Sequence, residues 1–366
     1  MKRLILMIVV LVFTSAVMVF AEEGIMKFTY ESALEAAAYN SVQPALDDYN
    51  IKALESALED AVDKAKKGFI GGTPQEVVER TIVKEVNPLE AKINLEIGQR
   101  QKLDNEKKIK EEVYKEMVQV VLAEEKIRLK KEQIELSQEK YAIDLVKFKE
   151  GLLSEAEITD EELALSIEKL ELTKMETALK SDILDVKQKL HIDLEEENRI
   201  GFEYKLLKIG SSYTLSSFDL KQAIEKAIES NLGVFGKQKA LEMAEMKMEI
   251  TKKYLKPGNN YYDKRVYEME AARKSLYDEK TGLEVSIRNA YNNLLTSLDA
   301  LELEYKKEEL ENSRLSTLMV KHNAGVISRR DIIDTKIKVL VQQQATLEAV
   351  YDYNLKIEAF KVLVEN

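Results

Sequence analysis

From 89 to 149, and again from 265 to 323, the sequence carries no turn signal strong enough to stop a helix. At 1.5 Å of rise per residue, a 60-residue helix is about 90 Å long, several times the width of a small domain. A chain with two such stretches cannot fold into a ball around one core. Its composition agrees, with 33% charged residues, 13 Gly, only 4 Pro and no Trp, a balance that favours long helices over sheets.

The apolar pattern of the first stretch holds two seams. Val113, Val120, Ile127, Ile134, Tyr141 and Phe148 recur every seventh residue, and so do Leu122, Leu129, Leu136 and Ile143. The two sets are offset by two residues, about 200° around a helix. They therefore lie on nearly opposite sides. A two-stranded coil needs one seam, whereas a helix standing in a palisade needs one on each flank. In the second stretch Ile287, Leu294, Leu301 and Leu315 give one seam, and Leu303 and Leu310 begin another. An ordinary bundle core is the other reading of the second seam.

Each long stretch ends in nearly the same words, "KFKEGLLS" at 147–154 and "KHNAGVIS" at 321–328. Gly151 and Gly325 suit the left-handed position that closes a helix. Ser154 with Glu157, and Ser328 with Asp331, are Ser-x-x-acid boxes that open the next one. Each break is thus expected to be a tight reversal at the tip of an antiparallel hairpin. The apolar pairs Leu152-Leu153 and Val326-Ile327 lie between stop and start, either exposed for docking or covering the hairpin's own end.

The chain is written twice. "FTYESALEAAAYNS" from Phe28 matches "FDLKQAIEKAIESN" from Phe218 at an offset of 190, and the two reversals align at an offset of 174, with Ile158 against Ile332 and Asp160 against Asp334. We expect a first repeat over 22–190, a linker over 191–213 and a second repeat over 214–366. Expected helices run roughly over 28–67, 89–149 and 155–190, then 218–254, 265–323 and 329–364.

This duplicated plan, with its "AL..A..N" openings and "G-apolar-x-S" tips, resembles the TolC-type outer-membrane efflux proteins over essentially the whole of 22–366. The resemblance implies an all-α fold of duplicated long antiparallel hairpins forming a coiled-coil α-barrel. It implies a homotrimer acting as a passive duct of a tripartite efflux or type I secretion system. The tips Gly151, Leu152, Leu153, Ser154, Gly325, Val326, Ile327 and Ser328 would meet a periplasmic adaptor (membrane fusion) protein that joins an inner-membrane pump. In the family two carboxylates three apart follow the second tip and ring the narrow mouth. Asp331 and Asp334 match them here, and Glu157 and Asp160 hold the same places after the first tip. Glu157 and Asp331 are also accounted for as helix caps, and Asp160 as a solvated side chain. The family's membrane barrel comes from β-hairpins between the first and second helices of each repeat. Here those places hold "GFIGGTPQEVVERTIVKEVN" and "LKPGNNYYDKR", without the runs of 9–11 alternating residues that a spanning strand needs. Little or no β-barrel is therefore expected, and an extracytoplasmic coiled-coil spacer or scaffold without transport is the alternative function.

Residues 1–21 read as a secretory signal, with Lys2 and Arg3 before an apolar run and Val19-Phe20-Ala21 ahead of Glu22. Export to the cell envelope is expected, as periplasm, outer membrane or another extracytoplasmic place. Removal of the signal would take the net charge from −11 to about −13, which argues against nucleic acid and against an anionic membrane surface as partners. Cysteine is absent, so neither disulfide nor thiol chemistry is available. No cofactor motif, nucleophile arrangement or metal spacing appears, and no enzymatic activity is expected. His191 and His322 fall near helix ends, where the helix dipole explains them. "DLEEEN" at 193–198 lacks the spacing of a calcium loop.

Overall fold

A computed structural model describes residues 25–68, 71–194, 199–203 and 218–364. Two strands and nine helices are found among them. The strands are β1 (Ile25–Phe28) and β2 (Arg199–Phe202). The helices are α1 (Tyr30–Asn40), α2 (Gln43–Lys66), α3 (Pro74–Glu85), α4 (Asn87–Lys149), α5 (Glu155–Lys189), α6 (Leu220–Ser230), α7 (Leu232–Tyr254), α8 (Asn260–Asn323) and α9 (Arg329–Val364). No described helix is long and apolar enough to cross a membrane. The expected signal at 1–21 lies outside the described residues, as do 195–198 and 204–213 of the expected linker.

The long helices and both reversals match expectation, and the first helix of each half does not. The stretch 28–67 breaks at Ser41, and 218–254 breaks at Asn231, whose side chain accepts from the Val234 N–H and caps α7. The connector after α2 is itself largely helical. Thr73 and Glu76 form a reciprocal capping box, with Pro74 in the first turn. The signal was legible as "TPQE", a box with proline at the position that tolerates it. No strand occupies described residues 71–85 or 255–259, the places where the resemblance puts barrel hairpins.

The chain packs into two compact units, each drawing on both halves of the sequence. The first takes the described residues of 25–40, 110–213 and 294–357. In it β1 and β2 pair in parallel, Ile25 against Arg199 through Phe28 against Phe202. Tyr114, Met117 and Val118 of α4 form a core with Tyr30, Phe202, Tyr351 and Leu355, where Tyr30 meets Tyr114 edge to face at 5.9 Å.

Four helices of this unit stand in a row. α5 lies against α4 through Lys130–Glu171 and Lys140–Glu161. α4 also meets α9, through Lys126–Glu348 and Arg329–Glu139. Beyond α9 stands α8, held by Gln342 and Thr346 on Glu304. Both seams of α4 are covered within the chain: Val113, Val120, Ile127 and Ile134 are buried, and so are Leu122 and Leu129. At the ends of the row the flanks are open. Leu163, Ile167 and Leu170 on α5, one stripe at i, i+4 and i+7, are exposed, as are Leu303 and Leu310 on α8.

The second unit takes the described residues of 41–109, 214–293 and 358–364. α3 lays Val78, Ile82 and Val86 against Met243, Ile250 and Leu255, with Tyr261 and Tyr262 at the edge. Phe218, Tyr291 and Phe360 form an aromatic cluster with centroids 5.3–6.0 Å apart. α2 crosses α4 closely enough that a Cβ on Gly98 would come within 2.4 Å of a Leu54 methyl carbon. A larger residue there would have to displace the Leu54 side chain.

Candidate functional site

The two reversals have the same construction. At the first, the Gly151 N–H donates to the Phe148 carbonyl and the Leu152 N–H to the Lys147 carbonyl, both at 2.9 Å. At the second, Gly325 donates to His322 at 2.8 Å and Val326 to Lys321 at 2.9 Å. This is the 5→2 and 6→1 pattern that satisfies the last carbonyls of a helix, and it needs a left-handed residue at the glycine. Gly151 and Gly325 have φ of +75° and +73°. α5 ends the same way, with His191 at φ +52° in place of glycine. His322 does more than face a dipole: its Nδ1–H donates to the Ile327 carbonyl across the turn at 3.0 Å.

The next helix begins three residues after each glycine. The Ser154 N–H and Oγ–H both donate to Glu157 Oε2 at 2.8 Å, and the Glu157 N–H donates back to Ser154 Oγ at 3.3 Å. At the second tip Ser328 donates to Asp331 Oδ2 from N at 2.9 Å and from Oγ at 2.7 Å, with the return bond again 3.3 Å. The Ser154 backbone bond holds Glu157 below the usual carboxylate range, and the Ser328 hydroxyl does the same for Asp331. Ile158 and Ile332, one turn on, are buried. Of each apolar pair only the first member is fully in solvent: Leu152 is 69% and Val326 71% exposed, while Leu153 and Ile327 are half-buried.

Beyond the capping serine the two tips differ. α9 opens with Arg329-Arg330, where α5 has Glu155-Ala156. Arg330 bonds Asp144 at 2.8 Å and Glu161 at 3.0 Å. The Asp144 side chain is only 1% exposed and takes a second bond from Lys147 at 3.2 Å. Lys140 bridges Glu161 at 3.0 Å and Asp334 at 3.3 Å. Burial pulls the Lys140 pKa down, but the bonds to Glu161 and Asp334 outweigh it and hold the ammonium above its usual value. Arg329 grips both oxygens of Glu139 at 2.8 and 3.1 Å. These pairs bind α9 to α4 and α5 just inside the tips.

The four carboxylates expected at a constriction therefore have different settings. Glu157 and Asp331 cap helices, Asp334 is paired with Lys140, and Asp160 is exposed with no ion pair among the described residues. Sequence reading missed Arg330, Asp144, Lys140 and Glu161. The available signal was the Arg-Arg pair, where the likeness of the two tips fails.

No protein-family model matches the sequence, and no curated protein matches it. Solved structures do match. The chain is similar to the Campylobacter jejuni CmeC outer membrane channel, at 11% identity over 92% of this chain and 85% of that one, with a TM-score of 0.67. It is similar to the outer-membrane channel OprN at 10% identity, over 92% and 89%, with a TM-score of 0.69. A third likeness is to the outer membrane protein VceC of Vibrio cholerae, at 9% identity over 92% and 95%, TM-score 0.66. At these identities the shared property is the fold. The class is a predominantly helical hairpin protein with two capped reversals. Its fold is that of the TolC-type outer-membrane channels, carried by a chain whose described residues form no barrel.

Proposed function

We propose that the protein is a passive, non-catalytic helical conduit of the cell envelope, closed as a ring of three identical chains that docks an adaptor protein through its tips and so serves an inner-membrane pump. The observation that carries this is the row α5–α4–α9–α8 with an apolar stripe left open on each outer flank. Ladder contacts set the register across the row: Glu168 is level with Gln133, Glu139 with Arg329, and Glu304 with Gln342. By those pairings Ile167 and Leu170 stand level with Leu310 and Leu303. Two different stripes at one height make a head-to-tail contact, and such contacts satisfy every chain only by closing a ring. At the tips Glu155, Asp160 and Glu162 of α5 would neighbour Lys321 of the next copy's α8.

In this reading Leu152 and Val326 are the apolar contacts offered to the adaptor. Asp160, Asp331 and Asp334 contribute carboxylates to the narrow mouth, where Asp334 counts fully once Lys140 lets it go. Opening needs α9 to shift on α4, which breaks Arg330–Asp144 and Lys140–Asp334. Residues 22–190 and 214–366 act as two copies of one hairpin unit joined by 191–213, exported by the signal at 1–21.

The deciding experiment is the mass of the chain from Glu22 to Asn366 by light scattering, with and without detergent. A discrete trimer supports the conduit. A monomer or dimer over a wide concentration range would overturn it and favour the second reading, an extracytoplasmic coiled-coil spacer. The observation behind that second reading is α3, a helix where the resemblance expects a barrel hairpin.

A further inference from the structure

The net charge of −11 describes the whole chain and conceals how charge is distributed. In the second unit α2 and α7 both run antiparallel to α4. Asp48 meets Lys102 while Leu54 meets Gly98, and Arg100 lies over Phe235 while Glu90 meets Lys247. Both helices therefore stop at the same end of the unit, level with the start of α4. α8 begins at that end too, since Arg273 reaches back to Glu245 of α7.

The ends of α2 and α7 there are basic, while α3, which packs on α7 at this end, adds the exposed Glu76, Glu79 and Glu85. α2 finishes in "KAKKG" and α7 in "KKYLKPG". Lys64, Lys66, Lys67, Lys252, Lys253 and Lys256 are all exposed. Lys66 and Lys252 pair with Asp63 and Glu249 one turn back, contacts between exposed side chains that are worth little. The other four have no ion pair among the described residues. A lysine in a last helical turn is ordinarily explained by the helix dipole. Lys67 is the C-cap of α2 and shares that explanation, whereas Lys256 lies beyond the cap of α7. Tyr254, 45% exposed, sits in the same cluster. Lysines around a half-exposed tyrosine, at an end where no described segment crosses a bilayer, match the chemistry of an interface between phosphate headgroups and acyl chains.

We propose that this end of the second unit is a docking face for an anionic lipid surface, with the lysines on lipid phosphates and Tyr254 at the headgroup boundary. It holds the protein against a membrane without spanning it. The inference does not depend on a conduit, because the face belongs to one chain.

The test is co-sedimentation of the mature chain with vesicles of phosphatidylcholine alone and of phosphatidylcholine with phosphatidylglycerol. Binding is expected only to the anionic vesicles, weakening with added salt. Each lysine removed in Lys67→Gln, Lys253→Gln and Lys256→Gln should weaken it about five-fold. The chain has no Trp, so Tyr254→Trp gives a clean reporter whose emission should shift to the blue on anionic vesicles. Equal binding to both vesicles overturns the proposal, as does a triple variant, helical by circular dichroism, that binds like the parent. If dextran sulfate strips the protein from vesicles and the tryptophan never shifts, the partner is a soluble polyanion and the lipid assignment fails. A trimer in light scattering is compatible with any of these results, so the two proposals stand or fall separately.

Discussion

Gly151 and Gly325 lie in backbone that an L side chain reaches only at a cost, yet a Cβ on either would meet nothing within 4 Å. The penalty for Gly325→Ala is therefore the backbone's own, roughly 1–2 kcal/mol. Gly325→Asn should recover much of it, since asparagine tolerates the left-handed region. Denaturant titration of the pair separates this strain from steric loss, which would make the larger residue worse. The capping carboxylates give a pH dependence of definite sign. Glu157 and Asp331 are held below their ordinary range in the folded chain. What they contribute is complete above that range and is lost as pH falls through it and below. Protection of the Ser154 and Ser328 amides against hydrogen exchange should drop on acidification, while mid-helix amides of α4 keep theirs. At this scale the sequence was informative where residues act locally. Both glycines and both boxes could be read directly because their partners lie within five residues. Arg330 could not, since Asp144 is nearly two hundred positions away in the chain.

Elements follow the same division. The two seams of α4 correctly indicate neighbours on both flanks, because a heptad repeat reports sides of a helix regardless of what covers them. They do not say whether the cover comes from the same chain. For α4 it does, through α5 and α9; for α8 the second seam at Leu303 and Leu310 is left open. Gross periodicity also hid the breaks at Ser41 and Asn231 and all of α3, where caps rather than apolar spacing set the boundaries. The α9–α4 junction gives a direct test of the charged ladder. Arg330→Ala leaves the buried carboxylate of Asp144 with Lys147 alone. A loss of about 2–4 kcal/mol is expected, concentrated in the first turns of α9. Hydrogen exchange resolved by segment should report opening at 329–340 ahead of the rest. Uniform loosening along α9 would mean that packing of Ile332 and Ile333, rather than the ion pairs, holds this end.

For the whole molecule, the absence of cysteine is an experimental advantage. Ile167→Cys combined with Leu310→Cys places one thiol on each open flank, at the same height but on opposite ends of the four-helix row. Oxidation should yield a ladder ending at a covalent trimer on a non-reducing gel. Either single variant should stop at dimers or remain monomeric. Moving the second thiol to Val341, exposed on α9, should abolish the ladder. The expected avoidance of anionic surfaces and the lysine face proposed above oppose each other, and the vesicle experiment decides between them. Net charge is a property of composition, whereas docking depends on which residues the fold assembles at one end.

The interleaving of the two compact units also governs when each can form. The first unit needs β1, which is among the earliest described residues, together with β2 and with α8 and α9 from 294 to 357. The second needs α2 and α3 together with α6, α7 and Phe360. Neither core is complete until nearly the whole chain has been made. Contacts this distant in sequence close slowly, because the intervening loop must be ordered before they repay it. Under the proposed export, a nascent chain of this design would present no complete core to a translocation pore until its last helix is delivered.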